Sequence, residues 1–186
     1  DTVKIKQLFI TRLRWPFTII PDDTPVITLA GDPEETDYKT LRFALSMTDD
    51  YGVEDLHIRM ELDPVITEAP LGQPHNETRA VMTPPGEEVT VNPVYDLTSH
   101  VWAGLPVVIT FAAEDAMSQR AFTSVKLTLP EREFKHPIAK KLIEHRKTLA
   151  WDYDAPTDEI ISSLLNMLAR PGDYNQDIIV LLALRT

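Results

Sequence analysis

The feature that most constrains this chain is a change of hydrophobic period near Pro130. Before it, apolar residues recur at every second position in short runs. After it, they recur at the three- and four-residue spacing of a helix. Leu41, Phe43, Leu45 and Met47 fall on one face of an extended segment. Leu56, Ile58, Met60 and Leu62 repeat the pattern, with His57, Arg59 and Glu61 facing out. Val107-Val108-Ile109-Thr110-Phe111 is more continuous, as a central strand is, and Val125 to Leu129 alternates again. Weaker strands are expected at 3–10, 15–20, 25–30, 77–82 and 88–95. Short strands punctuated by Pro, Gly and Asp, with no helix-period segment between them, favour an antiparallel β-sandwich over a parallel sheet. The prolines suit strand ends and edges, where a missing N–H is tolerated. Residues 63–74 read as a long exposed hairpin loop or a broken edge strand.

Charge divides the chain in the same places. The formal charge is −11 and the pI about 4.8. Residues 21–129 hold 19 acids against 6 bases, while residues 1–20 and 130–150 are each net +3. Non-specific nucleic-acid binding is excluded by this balance, because phosphate contacts need clustered Lys and Arg. The longest apolar run, Ile178 to Leu184, is seven residues, far below the ~18 needed to span a bilayer. A signal peptide is not evident, since the first 20 residues carry four basic residues and no uninterrupted apolar core. The start at Asp1-Thr2-Val3, without Met, suggests a processed chain or a piece of a longer one. With no Cys, disulfides and Cys-ligated zinc are excluded.

The last 50 or so residues read as helices. Pro137 suits a first helical position. Ile138, Leu142, Ile143, Leu149 and Ala150 form one stripe, with Lys140, Lys141, Glu144 and Lys147 opposite. A second helix is expected from Asp154 or Thr157, either of which can cap it, with Asp158 and Glu159 complementing the dipole. Ile160, Ile161, Leu164, Leu165 and Leu168 are its expected inner face, ended by Pro171-Gly172. A third helix is placed over 178–184, capped by Asp173 or Asn175, although that run is also strand-like. Removing residues 151–186 is expected to leave the sandwich folded with an apolar patch exposed.

Two turns match. Asp49-Asp50-Tyr51-Gly52 joins two strands, and Glu114-Asp115-Ala116-Met117-Ser118-Gln119 does so 66 residues later. An Asp carboxylate accepts bonds from amides two or three residues on, and Gly supplies a positive φ. Ser118 stands where Gly is expected, which predicts a strained turn or one of another type. Such a pair of Asp-rich turns is similar to those of bacterial immunoglobulin-like modules. The functional reading is a metal site in which Asp49, Asp50, Glu114 and Asp115, with Asp96, gather at one end of a sandwich. Calcium takes about six to eight oxygen ligands. Turn formation is the preferred reading, because no loop has the alternating Asp/Asn spacing of a dedicated calcium loop. No other cofactor is expected.

Catalytic signals are sparse. His57, His75, His100, His136 and His145 are scattered without metal-ligand spacing or an orienting partner in sequence. Gly-x-Ser-x-Gly and Gly-rich phosphate loops are absent. A carboxylate pair for glycoside chemistry depends on a separation in space of ~5–9 Å that sequence hides. Trp15, Trp102 and Trp151 could form a sugar platform but are more often packing residues. Trp102 reads as a core plug beneath a loop, and Trp151 as a contact between helices.

Three stretches together carry a family resemblance. They are Trp15-Pro16-Phe17-Thr18-Ile19-Ile20-Pro21-Asp22-Asp23-Thr24-Pro25, then Thr48-Asp49-Asp50-Tyr51-Gly52-Val53, then Leu129 to Ala139 (LPEREFKHPIA). They resemble large alphaproteobacterial proteins of unknown function, domain of unknown function 4175. The resemblance implies a long membrane-anchored parent chain with an immunoglobulin-like region, and it carries no catalytic residues.

The expected fold is therefore mainly β, an immunoglobulin-like antiparallel β-sandwich followed by a short C-terminal helical segment. Residues 1–20 form an N-terminal strand segment, consistent with the end of a preceding module; 21–130 the sandwich; 131–186 a helical appendage of two to three helices. The expected function is a non-catalytic structural or protein-interaction module from an envelope-associated, periplasmic protein. Its partner is the rest of the parent chain or another envelope protein, with a homodimer through the helical tail as a further possibility. The alternative is a calcium- or glycan-binding adhesion-type module. An enzyme with an acid pair not visible in sequence ranks third.

Overall fold

The computed structural model describes residues 2–7, 10–66, 74–152, 154–170 and 172. The first strands are β1 (Thr2–Gln7), β2 (Ile10–Pro16), β3 (Val26–Leu29), β4 (Glu34–Glu35), β5 (Leu41–Arg42) and β6 (Leu45–Thr48). They are followed by β7 (Val53–Leu62), β8 (His75–Ala80), β9 (Val89–Val91), β10 (Val94–Tyr95), β11 (Pro106–Asp115) and β12 (Arg120–Thr128). Two helices come after them, α1 (Pro137–Trp151) and α2 (Thr157–Ala169).

The long alternating runs become the centre of a four-stranded antiparallel sheet in the order β12-β11-β7-β8. β11 and β7 pair from Val107↔Leu62 to Glu114↔Asp55, with a bulge between Glu114 and Asp115. Period-2 alternation puts Leu56, Ile58, Met60 and Leu62 on the same face as Val107, Ile109, Phe111 and Ala113, and all are buried. A second layer is made of two short three-stranded sheets, β3-β6-β9 and β10-β5-β4. Its Ile27, Leu41, Phe43, Leu45 and Met47 share one apolar cluster with the first layer. The Phe43 and Phe111 rings meet across the layers at 5.2 Å between centroids. The chain is thus mainly β, an open antiparallel sandwich with helices at its C-terminal side.

The run from Leu41 to Met47, expected as one strand, divides. β5 pairs with β4 and β10, and β6 pairs with β3 and β9. Opposite the break stand Asn92 and Pro93, between β9 and β10. Pro93 has no N–H to donate, so the ladder cannot run through; Phe43 instead donates to the Pro93 carbonyl at 3.1 Å. Side-chain alternation survives the break, and Phe43 stays fully buried. The strand expected at 15–20 lies earlier: β2 ends at Pro16, and Ile19 and Ile20 are exposed beyond it. Within residues 63–74, Asp63 closes a turn by accepting from the Val65 amide at 3.0 Å; residues 67–73 lie outside the described residues.

α1 begins as expected at Pro137, and the His136 ring caps it by accepting from the Ile138 amide at 3.2 Å. Its docking is polar as well as apolar. Ala150 reaches the core, and Arg146 donates to the carbonyls of His100 (3.2 Å) and Ala103 (2.5 Å). Lys147, expected on the solvent face, lies over the loop and pairs with Glu131 at 2.7 Å. The loop residue beneath is Gly104, at φ 77°, where a Cβ would collide with the Glu131 and Lys147 side chains. Trp102, in the same loop, is fully buried and shares the apolar cluster that Ala150 joins. α2 differs from expectation at its start, since Pro156 occupies the cap position with no side-chain cap. Asp154 folds back onto Asp152 instead, its amide donating to Oδ1 at 3.1 Å. The buried face of α2 carries Ile160 and Met167, while Ile161 and Leu165 are exposed. His145 and Ser163 link the two helices at 3.0 Å. The expected third helix, 178–184, lies outside the described residues. Among the described residues no helix is long and apolar enough to cross a membrane.

Candidate functional site

One end of the sandwich gathers acids from three segments. The turn after β6 carries Asp49, whose Oδ2 accepts from the Tyr51 amide at 3.0 Å. Gly52 completes the turn at φ 100°, and a Cβ there would stand 2.5 Å from the Thr83 carbonyl oxygen. The turn after β11 is built alike. Asp115 Oδ1 accepts from the amides of Met117 and Gln119, both at 2.8 Å. Ser118 adopts φ 63°, the left-handed conformation that Gly would take without strain. Asp115 and Asp49 are both buried.

The third segment lies outside the expected ligand set, although it falls within one of the stretches that carry the family resemblance. Asp22, in the stretch leading from β2 to β3, accepts from the Gln119 side-chain amide at 2.9 Å. Thr24 donates to the same glutamine's Oε1 at 3.2 Å, and the Asp23 amide donates to Asp50 Oδ1 at 3.3 Å. These bonds bring one carboxylate oxygen each of Asp22, Asp49 and Asp50 within 4.8 Å of one another. The signal available in sequence is a second Asp-Asp pair, Asp22-Asp23, held between Pro21 and Pro25.

Among the described residues, no side-chain cation pairs with the carboxylates of this end: no ion pair reaches Asp22, Asp49, Asp50 or Asp115. Asp22 Oδ1, Asp49 Oδ1 and Asp115 Oδ2 are sealed from solvent with no hydrogen-bond donor among the described residues. A buried acceptor left this way costs about 1–3 kcal/mol, more when charged. Burial pushes the Asp49 carboxyl above its ordinary range; the Tyr51 and Gly52 amides oppose that shift, and the charges of Asp50 and Asp115 add to it. The donor set is all oxygen, which suits a hard divalent cation and not zinc or copper.

Two residues expected at the site lie elsewhere. Glu114 points to the outer face of the four-stranded sheet, because neighbours in a strand alternate faces and Asp115 points in. There Glu114 Oε2 accepts from Arg120 Nε at 2.6 Å and lies 2.7 Å from His57 Nε2. The Arg120 bond, then that of His57, holds the Glu114 carboxyl below its usual range. Asp96 closes its own turn, accepting from the amide and hydroxyl of Thr98 at 3.1 and 2.7 Å.

His57 therefore has partners that the sequence did not reveal: Glu114 on one side and the Thr78 hydroxyl, 2.9 Å from Nδ1, on the other. Hydroxyl, imidazole and carboxylate stand in the order of a nucleophile triad. The same carboxylate oxygen is also held by Arg120, so the arrangement works as a cross-strand lattice over β8, β7, β11 and β12. A cleft of 520 Å³ beside α2 includes Asp158 and Glu159. As successive helical residues these two diverge by about 100° and do not face each other as an acid pair.

No curated protein matches the chain. Among solved structures, the crystal structure of wild-type OgpA from Akkermansia muciniphila overlaps 61% of this chain and 31% of its own, at 7% identity and a TM-score of 0.42, too slight a likeness to bear on fold or function. The family model described as "Domain of unknown function (DUF4175)" matches residues 1–186, and the chain belongs to that family.

Proposed function

We propose that this domain is a non-catalytic interaction module of a larger, membrane-anchored envelope protein, exposed to the periplasm. The observation that carries the reading is the ribbon formed by β1 and β2. Its register, Val3↔Trp15 and Ile5↔Leu13, gathers four apolar side chains on one face. All four are exposed, Trp15 at 66%. The other face presents Lys4 paired across from Arg14, with Lys6 beyond. A two-stranded ribbon with a bare apolar face is marginal in water, and a contiguous patch of this kind marks a contact surface. Its occupant is a protein surface, on the parent chain or a neighbouring envelope protein, that is apolar at its centre and acidic at its rim, to complement Lys4, Lys6 and Arg14. The sandwich behind it, locked by Arg146 and Lys147 to α1, serves as a rigid base.

Hydroxyl-radical footprinting tests this by comparing the isolated domain with the same residues inside the parent protein in its native membrane. Trp15 and Leu13 are expected to be several-fold less reactive in the parent. Equal reactivity in both settings would overturn the reading.

A further inference from the structure

We propose that Asp22, Asp49 and Asp50 bind a divalent, oxygen-seeking cation of the calcium class at the acidic end of the sandwich. The three carboxylates converge within 4.8 Å, and convergence alone would be an acidic cluster and nothing more. The second observation is what the buried member of the set, Asp49, lacks. Asp49 is only 5% exposed and belongs to the converging set, yet its Oδ1 meets no donor among the described residues. Asp22, from a segment 27 residues away in sequence, is half-buried, and its Oδ1 is likewise sealed with no donor among the described residues. The fold supplies enough amides to close both Asp turns, and these oxygens are the ones left over.

The remaining surroundings agree. Asp49 is fixed by the Tyr51 amide through its other oxygen, and Asp22 by the Gln119 amide through its Oδ2, so the leftover oxygens are held in place before any ion arrives. Asp115 lies close enough for its charge to act on Asp49, and it adds to the field that attracts a cation. Asp50 is exposed and leaves an approach from solvent. One converging oxygen from each of three carboxylates is fewer than the six to eight that calcium takes, so water completes the shell.

Such an ion has a mechanical consequence. Asp22 lies on the stretch that joins the ribbon to β3, whereas Asp49 and Asp50 belong to the sandwich. A cation held between them fastens that stretch and fixes the direction in which the ribbon leaves the domain. This reading does not rest on the ribbon's having a partner, and either can fail without the other.

The test is Ca²⁺ titration of the whole chain after chelator treatment, by calorimetry and thermal unfolding. Millimolar Ca²⁺ is expected to raise the melting temperature by about 5 °C or more, reversed by EDTA. Asp50→Asn, at an exposed position that leaves folding intact, is expected to weaken Ca²⁺ at least tenfold, and Asp22→Asn likewise. Glu114→Gln, on the opposite face of β11, is expected to leave affinity within twofold. Absence of both heat and thermal shift at 5 mM Ca²⁺ would overturn the proposal. So would an equal loss in the Glu114 variant, since that would mean diffuse attraction to an acidic surface.

Discussion

The ribbon and the four-stranded sheet are written in the same pattern and end in opposite environments. Val3, Ile5, Leu13 and Trp15 alternate as faithfully as Leu56, Ile58, Met60 and Leu62. The first set is exposed, and the second is buried against Phe43, Leu45 and Met47. Alternation therefore reports which face of a strand is apolar, and only a second layer makes that face a core. The two indoles show the contrast most sharply. Trp102 is fully buried in the core, while Trp15 stands in solvent.

Substitution at these two positions gives the largest expected difference. Trp102→Ala is expected to cost about 3–5 kcal/mol, as a large cavity in that core. Trp15→Ala in the isolated domain is expected to change stability by no more than about 0.5 kcal/mol. Urea denaturation of both variants checks this, and equal losses would mean that the ribbon is packed in solution.

An intermediate effect is expected where the helix meets the sandwich. Arg146→Ala removes the donor to the His100 and Ala103 carbonyls, and burial already holds the Arg146 guanidinium below its ordinary pKa. The expected cost is about 1–3 kcal/mol, read as a lower urea midpoint. A midpoint unchanged from wild type would show that the two Arg146 bonds add nothing to the docking of α1.

The smallest of the three differences lies in the two Asp turns. Gly52 and Ser118 share a left-handed backbone, and only Ser118 carries the strain of a Cβ there. Ser118→Gly is expected to raise stability by up to about 1 kcal/mol, the strain relieved being partly offset by the greater freedom of Gly in the unfolded chain. A lower melting temperature for this variant would contradict that account.

Parts of the site were legible and parts were not. Asp49 and Asp115 sit in turns because of chemistry within four residues of each, which sequence displays. Glu114 does not join Asp115, because strand parity sends adjacent residues to opposite faces. Asp22 was missed for a different reason: nothing local to Pro21-Asp22-Asp23-Thr24-Pro25 says that Gln119 will hold its carboxylate beside Asp49. His57 looked partnerless because Thr78 and Glu114 lie 21 and 57 residues away.

What the sequence determined by itself is local. It set the two-residue period of the strands, the switch to helical period after Pro130, the Pro137 helix start and the Asp turns, since each depends on neighbours within a few positions. Tertiary structure decided the rest. It divided the Leu41–Met47 run between two sheets across Pro93, left Trp15 exposed while burying Trp102, and assembled the acids of three segments at one end. Those outcomes depend on which distant surfaces meet, and a pattern of period two or 3.6 carries no record of that.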